Sequence, residues 1–336
     1  MPPILPAMGL PGVRVRQFQS LSAMPAWCRT ILPLVAGVGL LVAVVAMLDR
    51  GQVLDRLGRA DPVVFALAVL SVQPQIVLSA LRWQFVSGRL GQMLPARRAI
   101  GEYYLASLLN QVLPGGVAGD AVRVVRAARD GEDDRWTGRA GQAVVLDRLS
   151  GQLVLFTAAG LGLLAAPFVF GVAPPGGAGL LVLLTAAAGL VLVGWVVLRI
   201  LGNRAARFRR AFGPVLAEVF VRRGAWAVQG ALSLAVVLSY LATFALAASA
   251  VGAPLGLSGT LLLVPLVLLS MLLPVSVGGW GLREAAAAAI LPIAGITAGG
   301  AFAASVIYGI ASLVGALPGL LLLARHAVGR RGRAAA

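Results

Sequence analysis

The chain has 336 residues, 59% of them hydrophobic and 12% charged, with a mean hydropathy of +0.92. That leaves too little polar surface to cover a water-soluble domain of this size, so the sequence reads as an integral membrane protein. The net charge is +16 and every basic residue is an arginine. These arginines gather in short loops beside apolar runs, as cytoplasmic loops do, and no basic stripe with interleaved aromatics points to nucleic acid.

Residues 1–29 carry several prolines with Arg14, Arg16 and Arg29, and read as a cytoplasmic amino-terminal arm. Cys28 is the single cysteine and has no internal disulfide partner. Crossing the hydrocarbon takes about 20 apolar residues. Runs of that kind lie at 31–48, 62–81, 149–170, 178–198, 225–250 and 299–324. Two further stretches, 99–129 and 257–293, read as helical hairpins that enter the membrane and return. Residues 326–336 form a cytoplasmic tail.

Arginine placement orients these segments. With the amino terminus inside, 31–48 crosses outward, through a mixed-charge loop from Asp49 to Asp61, and 62–81 returns to Arg82, Arg89, Arg97 and Arg98. The first hairpin dips from the inside, and 149–170 leads out to the uncharged turn at Pro174 and Pro175. Span 178–198 comes back to the densest arginine loop, between Arg199 and Arg223, and 225–250 goes out again. A cytoplasmic carboxyl terminus then requires the second hairpin to dip from the outside and 299–324 to cross once. The halves, about 30–170 and 178–325, thus have inverted topology, an arrangement common among secondary transporters. Each half orders its parts alike: span, short amphipathic linker, span, interrupted hairpin, span. In the longer linker Phe208, Phe212, Val215 and Val219 share one face, which suits a helix lying on the membrane surface.

The hairpins contain matching helix breaks. The first runs through Pro114, Gly115, Gly116 and Gly119 to Arg123; the second runs through Pro274, Gly278, Gly279 and Gly281 to Arg283. Proline to arginine is nine positions in both copies. Proline removes a helix donor and glycine opens backbone angles that other residues avoid. The freed amides and carbonyls are tolerated at membrane depth only inside protein or beside a water-filled cavity, and paired interruptions in two halves point to a binding site.

Ionisable residues at that depth are expensive and few. With the polar amides beside them they cluster at the breaks: Asn110, Gln111, Asp120, Arg123 and Arg126 at the first, Arg283 and Glu284 at the second, with Asp147 and Arg148 leading into span 149–170. If the two tips meet, Arg123 and Arg283 approach one cavity from opposite sides, and a guanidinium fork suits a phosphate. Asp120, Asp147 and Glu284 then hold the arginines when no ligand is present, or release them on protonation. The same pairs also fit a purely structural role, and Asn110 fits the satisfaction of a broken backbone. Arg82 beside Trp83 reads as an interfacial anchor. No nucleophile stands beside a base, no Cys/His cluster suits a metal, and Gly115-Gly116 lacks the lysine and hydroxyl of a phosphate-binding loop. Neither catalysis nor a cofactor is expected.

With these residues in view, the chain resembles the flippase-like family named for the transmembrane region of lysylphosphatidylglycerol synthase, which includes the membrane half of the multiple peptide resistance factor. The resemblance rests on Arg82-Trp83, Asn110, Leu113 to Gly116, Gly119 to Arg123, Asp147 to Gly151, Leu273-Pro274, Gly278-Gly279, Gly281 and Arg283-Glu284, across residues 30–325. Ala118 departs from the family's usual glycine. The resemblance implies an inner-membrane protein that moves a lipid with an anionic or polar headgroup between leaflets. Relatives have been linked to aminoacylated phospholipids, polyprenyl-linked sugars and hopanoids. In the two-part synthases a soluble domain makes the lipid; residues 1–336 show no such domain, so synthase activity is not expected of them. The alternative is a non-transporting scaffold for a glycosyltransferase or lipid-modifying enzyme.

Overall fold

The computed structural model describes residues 39, 42–44, 46–48, 50–113, 116–128, 134–171, 213–272 and 277–321. The arm, the tail, most of the 31–48 run, all of 178–198, Phe208, Phe212, Pro114, Gly115 and Pro274 lie outside the described residues. Those described are helical, with no strand among them: α1 (Arg50–Gly58), α2 (Pro62–Arg89), α3 (Ala96–Val112), α4 (Ala118–Ala128), α5 (Asp134–Val169), α6 (Ala225–Ala250), α7 (Leu257–Leu262), α8 (Val264–Leu269), α9 (Leu282–Ile290) and α10 (Ala298–Ala316). Among them, four helical stretches are long and apolar enough to cross a membrane: Pro62–Arg89, Gly138–Val169, Arg222–Ala250 and Ala298–Leu321. The chain is an all-α polytopic membrane protein.

Two helices run past the apolar stretches that announce them. α2 continues through Arg82 to Arg89, and α5 begins well before its apolar part. Charge does not stop them because the charged residues find partners inside the protein. Asp61 starts α2, its carboxylate accepting from the Val63 and Val64 amides at 2.8 and 3.2 Å, with Pro62 at the position where proline costs no bond.

Cross-chain contacts fix the helix directions. α2 and α6 run antiparallel: the Asp61 amide bonds to Ala250 at 2.8 Å, Ser71 meets Thr243 at 2.8 Å, and Arg89 reaches Arg222 at 3.0 Å. We call the Asp61 end upper and the Arg89 end lower. α3 rises from the lower end, and α4 descends beside it, since Gly119 lies against Ala106 while Arg126 pairs with Glu102. A Cβ at Gly119 has no room against the Ala106 backbone, so glycine sets how closely this pair packs. α7 and α8 descend from the upper end, and α9 climbs back, because Gly259 lies against Ala294 and Gly279 against Met271. The two broken hairpins therefore point at each other from opposite ends.

They also touch. Gly278 has φ 57°, and a Cβ there sits 2.7 Å from the Gln111 carbonyl oxygen at the end of α3. Only glycine satisfies both the angle and the approach.

One apolar cluster fills the upper half around Phe244, Leu263, Val264 and Leu291, and another the lower half around Trp83, Val86, Leu146 and Val219. Small residues of α10, among them Ala304, Ala311 and Gly315, are buried and let it approach α2 and α6 closely. Of the surface linker, the described part is a helical stretch over 213–220. It buries Val219 in the lower cluster, while Glu218 accepts from Arg89 at 3.2 Å. The mixed-charge loop contains α1, whose Arg56 donates to the Val251 and Gly252 carbonyls at 3.2 Å each.

Candidate functional site

Where the hairpin tips meet there is a cavity of about 300 Å³, walled by residues of α2, α3, α5, α6 and α10 and of both breaks. Gly116 and Asp120 reach it from the first break, and Gly278, Gly279 and Arg283 from the second. A carbonyl freed at the first break finds a side-chain partner here: Arg148 Nη2 donates to Gly116 O at 2.9 Å. Asn110 repairs the same break, its Oδ1 accepting from the Gly119 amide at 2.8 Å and its Nδ2 donating to Asp120 Oδ2 at 3.4 Å. Asn110 therefore satisfies broken backbone and also faces the cavity.

Five charged side chains of the first half form an alternating row. Arg82 Nε donates to Asp147 Oδ1 at 2.9 Å, and Asp147 Oδ2 accepts from Arg123 Nη1 at 3.4 Å. Arg123 Nε bonds to Asp120 Oδ1 at 3.1 Å, and Asp120 Oδ2 pairs with Arg148. Tyr103 adds a donor to Asp147 at 3.3 Å, and Arg82 a second bond, to Ser233, at 3.1 Å. Asp147 is wholly buried and Arg123 is 1% exposed. The Arg123 guanidinium stacks over the rings of Tyr103 and Trp83, 4.2 and 4.8 Å from their centroids.

Arg123 thus does not approach the cavity as Arg283 does. Of the row, Asp120 and the two end members, Arg82 and Arg148, form the wall there. The reason is local: Arg123 lies one helical turn past Asp120, on the face of α4 packed against α3 and α5. The Arg148 side chain is 33% exposed, the least enclosed of the three arginines in the row. Arg82 is 3% exposed and ion-paired, so it is no interfacial anchor.

The second half is simpler. Arg283 Nη2 and Nε reach Glu284 Oε1 at 2.5 and 3.1 Å, and Nε also meets Ser305 Oγ at 3.0 Å. Glu284 Oε2 accepts from the Gly281 amide at 2.6 Å, holding the first turn of α9. The rings of Trp280 and Tyr308 lie on the Arg283 guanidinium, each 5.1 Å away. At Gly309 a Cβ would collide with both Arg283 and Trp280, so a glycine there makes room for the cation.

A family model for the lysylphosphatidylglycerol synthase TM region matches residues 30–319. The chain belongs to that family. No curated protein matches it.

Several cavity residues escape sequence reasoning. Gln75, Tyr240 and Tyr308 are neutral groups in apolar spans, and only their placement on the wall marks them. Arg82 carries a legible signal: an unmatched arginine in an apolar helix needs an acid, and Asp147 is an acid at membrane depth that needs a cation. Among the described residues no cluster of His, Cys, Asp and Glu is arranged to hold a metal ion.

Proposed function

We propose that the protein is a flippase-like transporter that moves a lipid with an anionic or polar headgroup between leaflets of the inner membrane. The observation that carries this reading is the meeting of two helix breaks, from opposite ends, at a cavity walled by Arg82, Arg148 and Arg283. Each hairpin is then re-entrant in the bilayer, and the headgroup sits among the arginines while the acyl chains stay in lipid. The lower end, with Arg89, Arg97, Arg98 and Arg222, faces the cytoplasm by the positive-inside rule, and both termini lie on that side. Rocking of one half against the other exposes the cavity to each leaflet in turn.

Arg148 and Arg283 contact the phosphate from opposite sides, Asp120 and Asn110 shape the entrance to it, and Asp147 and Glu284 hold the arginines. Arg123 acts one step back, as the link between Asp120 and Asp147. No catalytic role is assigned to any of these groups.

Reconstitution tests the proposal. In liposomes with a headgroup-labelled anionic lipid, an impermeant reagent should report protein-dependent translocation, slowed at least tenfold by Arg148→Ala and by Arg283→Ala. Rates equal to those of empty liposomes for every anionic lipid would overturn it. The remaining reading is then a scaffold for a glycosyltransferase or lipid-modifying enzyme, which the internal pairing of every described cavity arginine also suits.

A further inference from the structure

The cavity's electrostatics narrow the headgroup. Its wall carries three arginines but one acid, Asp120, which is already shared between Arg123 and Arg148. The row Arg82, Asp147, Arg123, Asp120, Arg148 contains three cations and two anions, while Arg283 and Glu284 cancel. Among the described residues, the site therefore holds one uncompensated positive charge in a low-dielectric surround. An anion is favoured there and a cation is repelled.

Among the described residues, no other acid is placed to change that balance. The chain has twelve. Of those outside the row and its partner cluster, Asp55 pairs with Arg59, Asp61 caps α2, Glu102 pairs with Arg126 and Glu218 with Arg89. Asp49 precedes α1, and the acids of 130–134 precede or start α5. At about 1.5 Å of rise per residue, Asp134 stands roughly 20 Å along that helix from Asp147. The tip residues 114–115 and 273–276 contain no acid in their sequence.

A second observation concerns what joins the phosphate. Gln75 is 6% exposed and on the cavity wall, and its Oε1 has no hydrogen-bond partner. A buried orphan acceptor is costly until a donor reaches it. Ser79, Gln152 and Tyr240 line the same wall. A hydroxyl satisfies Gln75 without adding charge; an ammonium adds a cation beside three arginines, with no free carboxylate among the described wall residues to receive it. At about 300 Å³ the space lies at the small end of ligand cavities, enough for a phosphate and a small polyol.

Building on the lipid-transport reading, we propose that the cavity selects a phosphodiester headgroup bearing a neutral, hydroxylated substituent and rejects aminoacylated, cationic headgroups. The chemistry is that of a phosphatidylglycerol-like lipid rather than its lysyl ester, despite the family's name.

The test uses the full chain in phosphatidylcholine nanodiscs containing equal mole fractions of phosphatidylglycerol and lysylphosphatidylglycerol, with bound lipid read by native mass spectrometry. Phosphatidylglycerol should be retained over its lysyl ester by about tenfold, given the strength of unscreened charge pairs in a partly buried site. Arg148→Gln should bring that ratio close to one. Gln75→Leu should lower retention of phosphatidylglycerol relative to phosphatidic acid several-fold, and no change there removes the hydroxyl part of the proposal. Equal or greater retention of the lysyl ester by the unaltered chain overturns the selectivity while leaving lipid transport standing. Retention of neither lipid above phosphatidylcholine removes the transport reading and the selectivity with it. Soluble glycerol phosphate supplies the last arm: the lipid should outcompete it, and tighter binding of the soluble ester overturns the lipid assignment.

Discussion

Arg123 and Arg283 follow their helix breaks by the same nine residues, yet they live in unlike surroundings. Arg283 has one carboxylate, its neighbour Glu284, and a face on the cavity. Arg123 has two carboxylates, each shared with another arginine, and is enclosed by Trp83 and Tyr103. Equivalent sequence positions have been put to different uses. The second half keeps a self-contained pair, while the first half spreads its charge along a row whose two ends, Arg82 and Arg148, take the cavity positions.

That contrast orders the consequences of substitution. Asp147→Ala strips a partner from both Arg82 and Arg123, and breaking a buried pair in this way costs about 3–5 kcal/mol. It should give the largest fall in thermal stability of the purified protein, larger than Glu284→Ala, which strands one arginine, Arg283, with the Gly281 amide. Equal losses would show that the row behaves as separate pairs. Gly278→Ala comes next, forcing a Cβ into the Gln111 backbone at a positive φ, for about 1–3 kcal/mol of overpacking; a melt that does not move would mean the tips stand further apart than described. Arg148→Gln should change stability by less than about 1 kcal/mol, as partly exposed ion pairs do, while lowering lipid translocation most. Asp55→Asn breaks the exposed pair with Arg59 and sets the floor, about 0–1 kcal/mol in the same melt.

The two interruptions, between α3 and α4 and before α9, were legible because proline and glycine each have a local reason to sit where they do. Pro114, Pro274 and the glycines mark interruptions, and arginine-rich loops orient the segments around them. The inverted directions of α3–α4 and α7–α9 follow from that bookkeeping, and Gly278 on Gln111 shows the tips in contact. What sequence spacing misassigned was distance along the helix from the tip. Arg123 shares a face of α4 with Asp120, but one turn farther from the break that face is covered by the neighbouring helices and closed by Trp83 and Tyr103, which the spacing within α4 does not show. Arg82 failed for a related reason. Beside Trp83 at the end of an apolar run it looks like an anchor, and its acid stands 65 residues away in sequence. Gln75 and Tyr240 gave no signal, since a neutral polar group in an apolar helix is cheap enough to be ordinary.

Asp120 carries one more consequence on the transport reading. Its carboxylate is tied to α4 and already rests on Arg148, so an arriving phosphate must displace a competitor that cannot diffuse away. Affinity for the headgroup is thereby capped from within. A carrier profits from such a cap: the departing lipid is replaced by a side chain, and Arg148 does not face the empty passage without a counter-charge.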